Sequence, residues 1–451
     1  MKLVYGVKDR PKFGEVIIFA LQQVLAILAA TIAVPTIIGN GMSQSAALFG
    51  AGVGTIIYLL FTKFRSPVFL GSSFAFLGSM FAAFAGAIST EAGYAGIIIG
   101  AFFAGLVYVV IAIVVKIAGV AWINKIMPTV VIGPTVALIG LSLAGNAVSD
   151  ALSLAEAGDS AFVMNTSGWI GLICALVTLF TVMICSVFGK RMAKLIPFII
   201  GILAGYVVAA IFTIIGTTTG NDALIVIDFS LFQSMQWIPD FTFITAAKGL
   251  SQIDGQYIAT IAVAYVPVAF VVFAEHIADH KNLSSIIEVE LLEDPGLHRT
   301  LLGDGVGSMA GAFFGGCPNT TYGESIGCVA ITGNASVVTI LATAILCMII
   351  SFFGPFVTFL ATIPSCVMGG VCITLYGFIA VSGLKMIQDV DLGNNRNLFV
   401  VAAILITGIG GMALQIGAVT LTEVACSLIL GIIINAVLGR SDKKENDAAK
   451  K

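Results

Sequence analysis

Eleven stretches of this chain run for roughly 20 residues with almost no charge, the length a helix needs to cross a bilayer core. They are Val16–Pro35, Ala46–Phe61, Tyr94–Val115, Val130–Val148, Gly168–Phe188, Ile196–Ile215, Tyr257–Ala278, Ala335–Phe353, Val357–Ala380, Asn397–Ala413 and Thr420–Leu438. In lipid every backbone polar group must be satisfied within the protein, which leaves helices or a closed barrel, and runs this long exclude the barrel. Charged residues make up 10% of the chain, against roughly 25% in soluble domains. The expected class is an all-α polytopic membrane protein. A net charge of −3 offers no basic footprint for nucleic acid. The eight cysteines sit in or beside apolar runs with no CxxC pair, so they read as small buried hydrophobes rather than metal ligands or disulfides.

Three further segments, Gly71–Ala85, Thr300–Gly316 and Tyr322–Thr332, are short or glycine-interrupted, and bring the expected crossings to fourteen. Charge orients them. With the N-terminus inside, 20 of the 21 Lys and Arg fall on the cytoplasmic side and only Lys248 outside. Glu91, Asp150, Glu156, Asp159, Asp222, Asp228, Asp240 and Asp254 fall outside. That sorting satisfies the positive-inside rule and puts both termini in the cytoplasm. Met1–Lys12 reads as a basic tail, not a signal peptide, because the apolar run after it has spanning length.

The chain also repeats itself. Gly71-Ser72-Ser73-Phe74-Ala75 resembles Thr320-Thr321-Tyr322-Gly323, two hydroxyls and an aromatic opening a short segment. Pro128–Gly133 resembles Pro364–Gly369 with Pro and Gly in register. The marks keep their order in two halves of seven segments each, residues 16–216 and 257–438. An odd number of crossings makes the second half inverted relative to the first. Paired interrupted segments in inverted halves point to a binding site near the midplane. The polar stretch Thr217–Gln256 links the halves and is expected to be an external loop.

Gly315–Thr332 carries the strongest signal for function. It lies between long apolar runs, yet holds Pro318, Asn319, Thr320, Thr321, Glu324 and Ser325. Non-helical backbone at membrane depth survives only inside protein or beside a wet cavity, and an ionisable residue there marks a functional site. Pro318–Tyr322 is expected to be extended and Gly323–Thr332 a short helix, its N-terminus offering free N–H groups. Further acids outside the loops are Glu275 and Asp279, four residues apart and so on one helix face, and Glu423, near the start of the last span and interfacial rather than central. The three histidines, His276, His280 and His298, lie in one cytosolic-side stretch. They form no HExxH or Ser/His arrangement, which argues against an intramembrane enzyme. Carboxylates accept hydrogen bonds, while helix N-termini and extended N–H groups donate them. A flat ring with alternating N–H and C=O groups, a pyrimidine or oxopurine, suits both. Two buried carboxylates would repel an inorganic anion. They also bind protons readily, so a proton serves as coupling ion and no added cofactor is needed. Phe74 and Tyr322 are placed to pack on such a ring.

At these residues the chain resembles the nucleobase–ascorbate transporter family, and within it the bacterial uracil/xanthine permeases. The stretches that carry the resemblance are Ala29–Pro35, Gly71–Phe74, Ala274–Ile277, Asp294–Arg299, Gly303–Gly305 and Pro318–Gly327. The resemblance implies two inverted seven-span repeats, with short strands opening segments 3 and 10. It implies a core domain from segments 1–4 and 8–11 and a gate domain from segments 5–7 and 12–14. It implies that Glu275 and Glu324 bind substrate, that Phe74, Tyr322 and Gly323 contact it, that Ala30 lines the site, and that Tyr376 faces it from the gate. Asp279 stands where the best-known uracil permeases carry histidine; it is a candidate for proton coupling with Glu275 and Glu324. The implied activity is proton-coupled import of a nucleobase, uracil first and xanthine or another purine as the alternative, across the cell membrane. An anion transporter of the same architecture is a further alternative. Homodimers occur among relatives of this kind.

Overall fold

The computed structural model describes residues 3–119, 128–157, 161–190, 192–388, 390–416 and 419–449. Lys2, Lys125, Asp159, Arg191, Lys450 and Lys451, used above to orient the chain, lie outside them.

The described residues form a bundle of helices with three two-stranded ribbons. Its first part runs α1 (Phe13–Ile38), α2 (Gln44–Phe61), β1 (Leu70–Ser72), α3 (Leu77–Ala85) and α4 (Thr90–Ala118). Then come α5 (Thr129–Ser142), α6 (Ala144–Ala151), the ribbon β2 (Glu156–Ala157) and β3 (Phe162–Val163), α7 (Thr166–Phe188), α8 (Met192–Leu195) and α9 (Pro197–Thr219). The middle holds α10 (Thr242–Gly249), α11 (Gly255–Ile287), α12 (Leu297–Gly315), β4 (Asn319–Thr321) and α13 (Gly323–Thr332). The chain closes with α14 (Val337–Ile350), α15 (Gly354–Ala361), α16 (Ser365–Ile387), α17 (Asn395–Ile409), the ribbon β5 (Leu414–Ile416) and β6 (Val419–Leu421), and α18 (Glu423–Ala449).

Among the described residues eight helices are long and apolar enough to cross a membrane, and α14 with α15, bent by 83°, would make a ninth. Several other expected crossings are shorter apolar helices. The expected run Val357–Ala380 is not one helix. It breaks after Ala361, because a residue before proline is pushed out of helical geometry and Pro364 itself is extended (φ −65°, ψ 146°). Pro128 plays the same part before α5 (φ −70°, ψ 162°). The linker 217–256 is not a plain loop either: it carries α10, which buries Thr242 and Ala246.

Close helix approach supplies the packing between α2 and α12. A Cβ on Gly50 would sit 2.6 Å from the Gly311 carbonyl oxygen and 3.0 Å from Gly315 N. Small residues permit such contact where lipid offers no hydrophobic drive between helices. Asn319 Nδ2 then donates to the Gly50 carbonyl at 3.1 Å, tying β4 to this pair.

At the centre β1 and β4 pair antiparallel in the register Leu70↔Thr321, Gly71↔Thr320 and Ser72↔Asn319. Every residue of both strands is buried. Thr55 Oγ1 accepts from Leu70 N at 2.9 Å, so the strand's polar backbone is also held from α2. The extended Pro318–Tyr322 and the short helix from Gly323 stand where the sequence put them.

Candidate functional site

The β4–α13 junction is fixed by β1 and by α1. Ser73 N donates to the Pro318 carbonyl at 2.9 Å and Tyr322 N to the Phe69 carbonyl at 3.2 Å. Tyr322 Oη donates to the Ser72 carbonyl at 2.7 Å, which ties the hydroxyl to the backbone of the ribbon. The first α13 bond runs from Ile326 N to the Tyr322 carbonyl at 3.2 Å. The N–H groups of Gly323, Glu324 and Ser325 precede it, at the positive end of the helix dipole. Ser325 points away from the cavity and is fully buried. Its Oγ accepts from Gln23 Nε2 at 3.0 Å and from Phe69 N at 3.2 Å, so one hydroxyl joins α1, the lead into β1, and α13.

From the other side comes α11. Asp254 caps it by accepting from Tyr257 N at 2.7 Å. The helix continues to Ile287, beyond the end of its apolar run at Ala278, so Glu275 and Asp279 stand within the bundle and not at a helix end. Thr321 Oγ1 donates to Asp279 Oδ2 at 2.7 Å, linking α11 to β4.

These elements enclose a cavity of about 510 Å³. Glu275, Asp279, Phe74, Tyr322, Gly323 and Glu324 all line it. A Cβ on Gly323 would meet nothing within 4 Å, so this glycine leaves space in the cavity rather than relieving a protein contact. Two residues singled out in the sequence stand back from the wall. Ala30 is buried at 1% exposure, and Ala26, one turn earlier on α1, lines the cavity in its place. Tyr376 is 2% exposed and packs edge-on against the Phe74 ring at 5.8 Å and 77°.

Sequence reasoning missed the opposite wall: Val136 and Ile139 of α5, Phe198 of α9, and Leu375, Phe378 and Ile379 of α16. Nothing marks these among so many apolar residues. It also missed Ser186, Lys194 and Met386, which carry the cavity toward the Lys-rich helix ends. The histidines do not stand in an open loop: His276 and His280 are fully buried inside the bundle, and His276 Nδ1 lies 2.7 Å from Oδ2 of Asp304. The signal for Asp304 was present, an acid flanked by Gly303 and Gly305 in an interrupted apolar segment. The arrangement as a whole offers acceptors from α11 and α13, donors at the α13 N-terminus, aromatic edges, and an apolar floor.

Residues 14–417 match the model of the Permease family. The chain belongs to this family. Similar proteins include the uracil permease of Bacillus caldolyticus, 39% identical over 99% of this chain and 97% of that one. The uracil permease of Bacillus subtilis (strain 168) is 37% identical over 99% and 98%, and that of Escherichia coli (strain K12) 32% identical over 96% and 93%. These relatives are transporters, not enzymes, and this chain is an integral membrane protein like them. Among solved structures, the transmembrane domain of a cyanobacterium bicarbonate transporter, BicA, superposes with a TM-score of 0.61 at 17% identity, covering 96% of this chain and 99% of that one. The murine anion transporter Slc26a9 in its inward-facing state gives 0.65 at 12% identity, covering 96% and 69%. At such identities the likeness shows a shared membrane-transporter fold alone.

Proposed function

We propose that this chain is a proton-coupled symporter that imports a nucleobase, uracil first, across the cytoplasmic membrane. The observation that carries the reading is the single cavity receiving Glu275 from α11 and both Glu324 and the α13 N-terminus from the other side. A uracil ring has N–H donors for the carboxylates and carbonyl oxygens for the helix N–H groups. Phe74 and Tyr322 then cover its flat faces or edges. The names of the relatives favour uracil, and xanthine is the alternative on the same chemistry. An anion is disfavoured by the three acids, Glu275, Asp279 and Glu324, that line the cavity.

On this reading the chain crosses fourteen times in two inverted repeats, residues 16–216 and 257–438, with both termini cytoplasmic. Segments 1–4 and 8–11 form the core that holds the base; segments 5–7 and 12–14 form the gate. Support comes from the β1–β4 pairing and from the matched prolines that open α5 and α16. In the simplest cycle a proton entering from outside neutralises one of Glu275, Asp279 and Glu324, the base binds, core and gate move past each other, and the proton leaves toward the cytosol. Uptake of labelled uracil and xanthine, each competed with the other, tests the substrate. Glu324→Ala should remove a charge-assisted hydrogen bond at a cost of about 1.5–3 kcal/mol, more than tenfold in affinity. Wild-type binding of uracil by that variant would refute the assignment.

A further inference from the structure

The base cavity leaves one buried polar cluster without a use. His276 and His280 share a face of α11 next to the face of Glu275 and Asp279, and their rings stack at 4.0 Å and 30°. His276 Nδ1 lies 2.7 Å from Asp304 Oδ2, and Nε2 lies 2.9 Å from Thr300 Oγ1, both on α12. Asp304 is 1% exposed, and its other oxygen, Oδ1, has no hydrogen-bond partner. The groups facing this pair come from every neighbour. Tyr58 of α2 places its hydroxyl 2.6 Å from His280 Nε2. Tyr108 of α4 sets its ring edge-on to His276 at 6.3 Å. Glu275 and Asp279 lie on α11 itself. Arg299, beside Thr300, turns away and donates to the Phe61 carbonyl at 3.4 Å.

Proton counting separates two states of the pair. In the first, His276 is neutral and its Nδ1–H donates to an ionised Asp304, while Thr300 donates to Nε2. That leaves a full negative charge buried with one oxygen unpaired, which is costly. In the second, the pair holds one proton more, on the imidazole or on the carboxyl. The pair is then neutral in sum, and Nε2–H donates to Thr300 Oγ1. The Thr300 hydroxyl turns instead to the Leu297 carbonyl, 3.0 Å away. Both partners stand within reach of the same hydroxyl, so one rotation accommodates the gain or loss of the proton.

We propose that His276 and Asp304 form a proton-binding site outside the base cavity, holding one proton between them, with Thr300 as its hydroxyl switch. The site joins α11 to α12 one residue from Glu275. Its occupancy therefore sets how α11 is seated, and with it the placement of the cavity acids. Its role in transport rests on the proton-coupled reading above; the presence of the proton does not.

Histidine-specific ¹⁵N NMR on the purified full chain is the test, since the chain has three histidines and His280→Gln and His298→Gln variants assign the signals. At neutral pH the His276 signals should show a proton on Nε2 and a second proton shared between Nδ1 and Asp304. The shared signal should vanish in Asp304→Asn, persist in Thr300→Ser, and be lost at lower pH in Thr300→Val, which has no hydroxyl for Nε2–H. A His276 that carries its proton on Nδ1 and none on Nε2 from about pH 5 to 9, unchanged by Asp304→Asn, overturns the proposal. If Asp304→Asn does not fold, Thr300→Val against Thr300→Ser decides, and identical spectra from those two also overturn it. Uracil calorimetry on the same samples separates the two readings. Asp304→Asn should bind within threefold of wild type but with a flatter pH dependence, and an unaltered pH profile refutes the role in transport. A wild-type protein that binds no uracil refutes the base reading and leaves the NMR result standing.

Discussion

Ser325→Ala removes one oxygen and almost no volume, yet it should be among the more damaging changes near the cavity. The hydroxyl accepts two buried hydrogen bonds, from Phe69 N and from Gln23 Nε2. Without it the Phe69 N–H has no acceptor, and a buried unsatisfied donor costs about 1–3 kcal/mol. Gln23 Nε2 keeps a longer bond to the Ser325 carbonyl at 3.3 Å, so its loss should stay under about 1 kcal/mol. Together the variant should lose about 1–4 kcal/mol. Denaturant titration of the purified protein in one detergent, beside wild type, measures it. Because Ser325 faces away from the cavity, uracil affinity should fall less than Glu324→Ala makes it fall. Adding Gln23→Leu should recover only the Gln23 part, since the Phe69 donor stays orphaned. A Ser325→Ala protein as stable as wild type would show that this three-way junction does not hold α13 in place.

Gly323→Ala should leave stability unchanged and weaken uracil binding, because its Cβ meets no protein atom and enters the cavity; calorimetry beside thermal unfolding checks both. Gly50→Ala should do the opposite, costing about 1–3 kcal/mol by overpacking as α2 is forced off the Gly311 carbonyl, read by the same unfolding assay. Asp279→Asn should keep uracil binding, since the amide oxygen still accepts from Thr321, but lose accumulation driven by an imposed pH gradient; wild-type accumulation that collapses with a protonophore would move coupling to Glu275 or Glu324. In intact cells Ser230→Cys should label from outside and Asn282→Cys should not, and the reverse pattern would refute fourteen crossings.

The β4–α13 junction was legible in the sequence because its polar residues conflict with membrane depth, and few backbone solutions resolve that conflict. The acids on α11 were legible for the same reason. Ala30 and Tyr376, taken from the resemblance, are near the cavity but behind its wall, since a one-turn difference in which residue faces inward leaves no mark in an apolar helix. His276, His280 and Asp304 were visible as residues but not as a group. Their meaning depends on α11, α12 and α2 meeting, and no spacing along the chain encodes that meeting. The break before Pro364 was hidden by apolar residues on both sides, although proline itself announces it.

The central ribbon joins strands whose residues lie some 250 positions apart in the chain, as the bond from Tyr322 to Ser72 records. While the protein is being synthesised, β1 therefore enters the membrane without its mate. Its N–H and C=O groups must wait, held in part by Thr55 or by water, until Asn319–Thr321 arrives. No truncated product that stops before that point can contain the cavity, however well its helices insert. The ribbon thus closes only when both halves of the chain are present, and until then β1 offers an open strand edge.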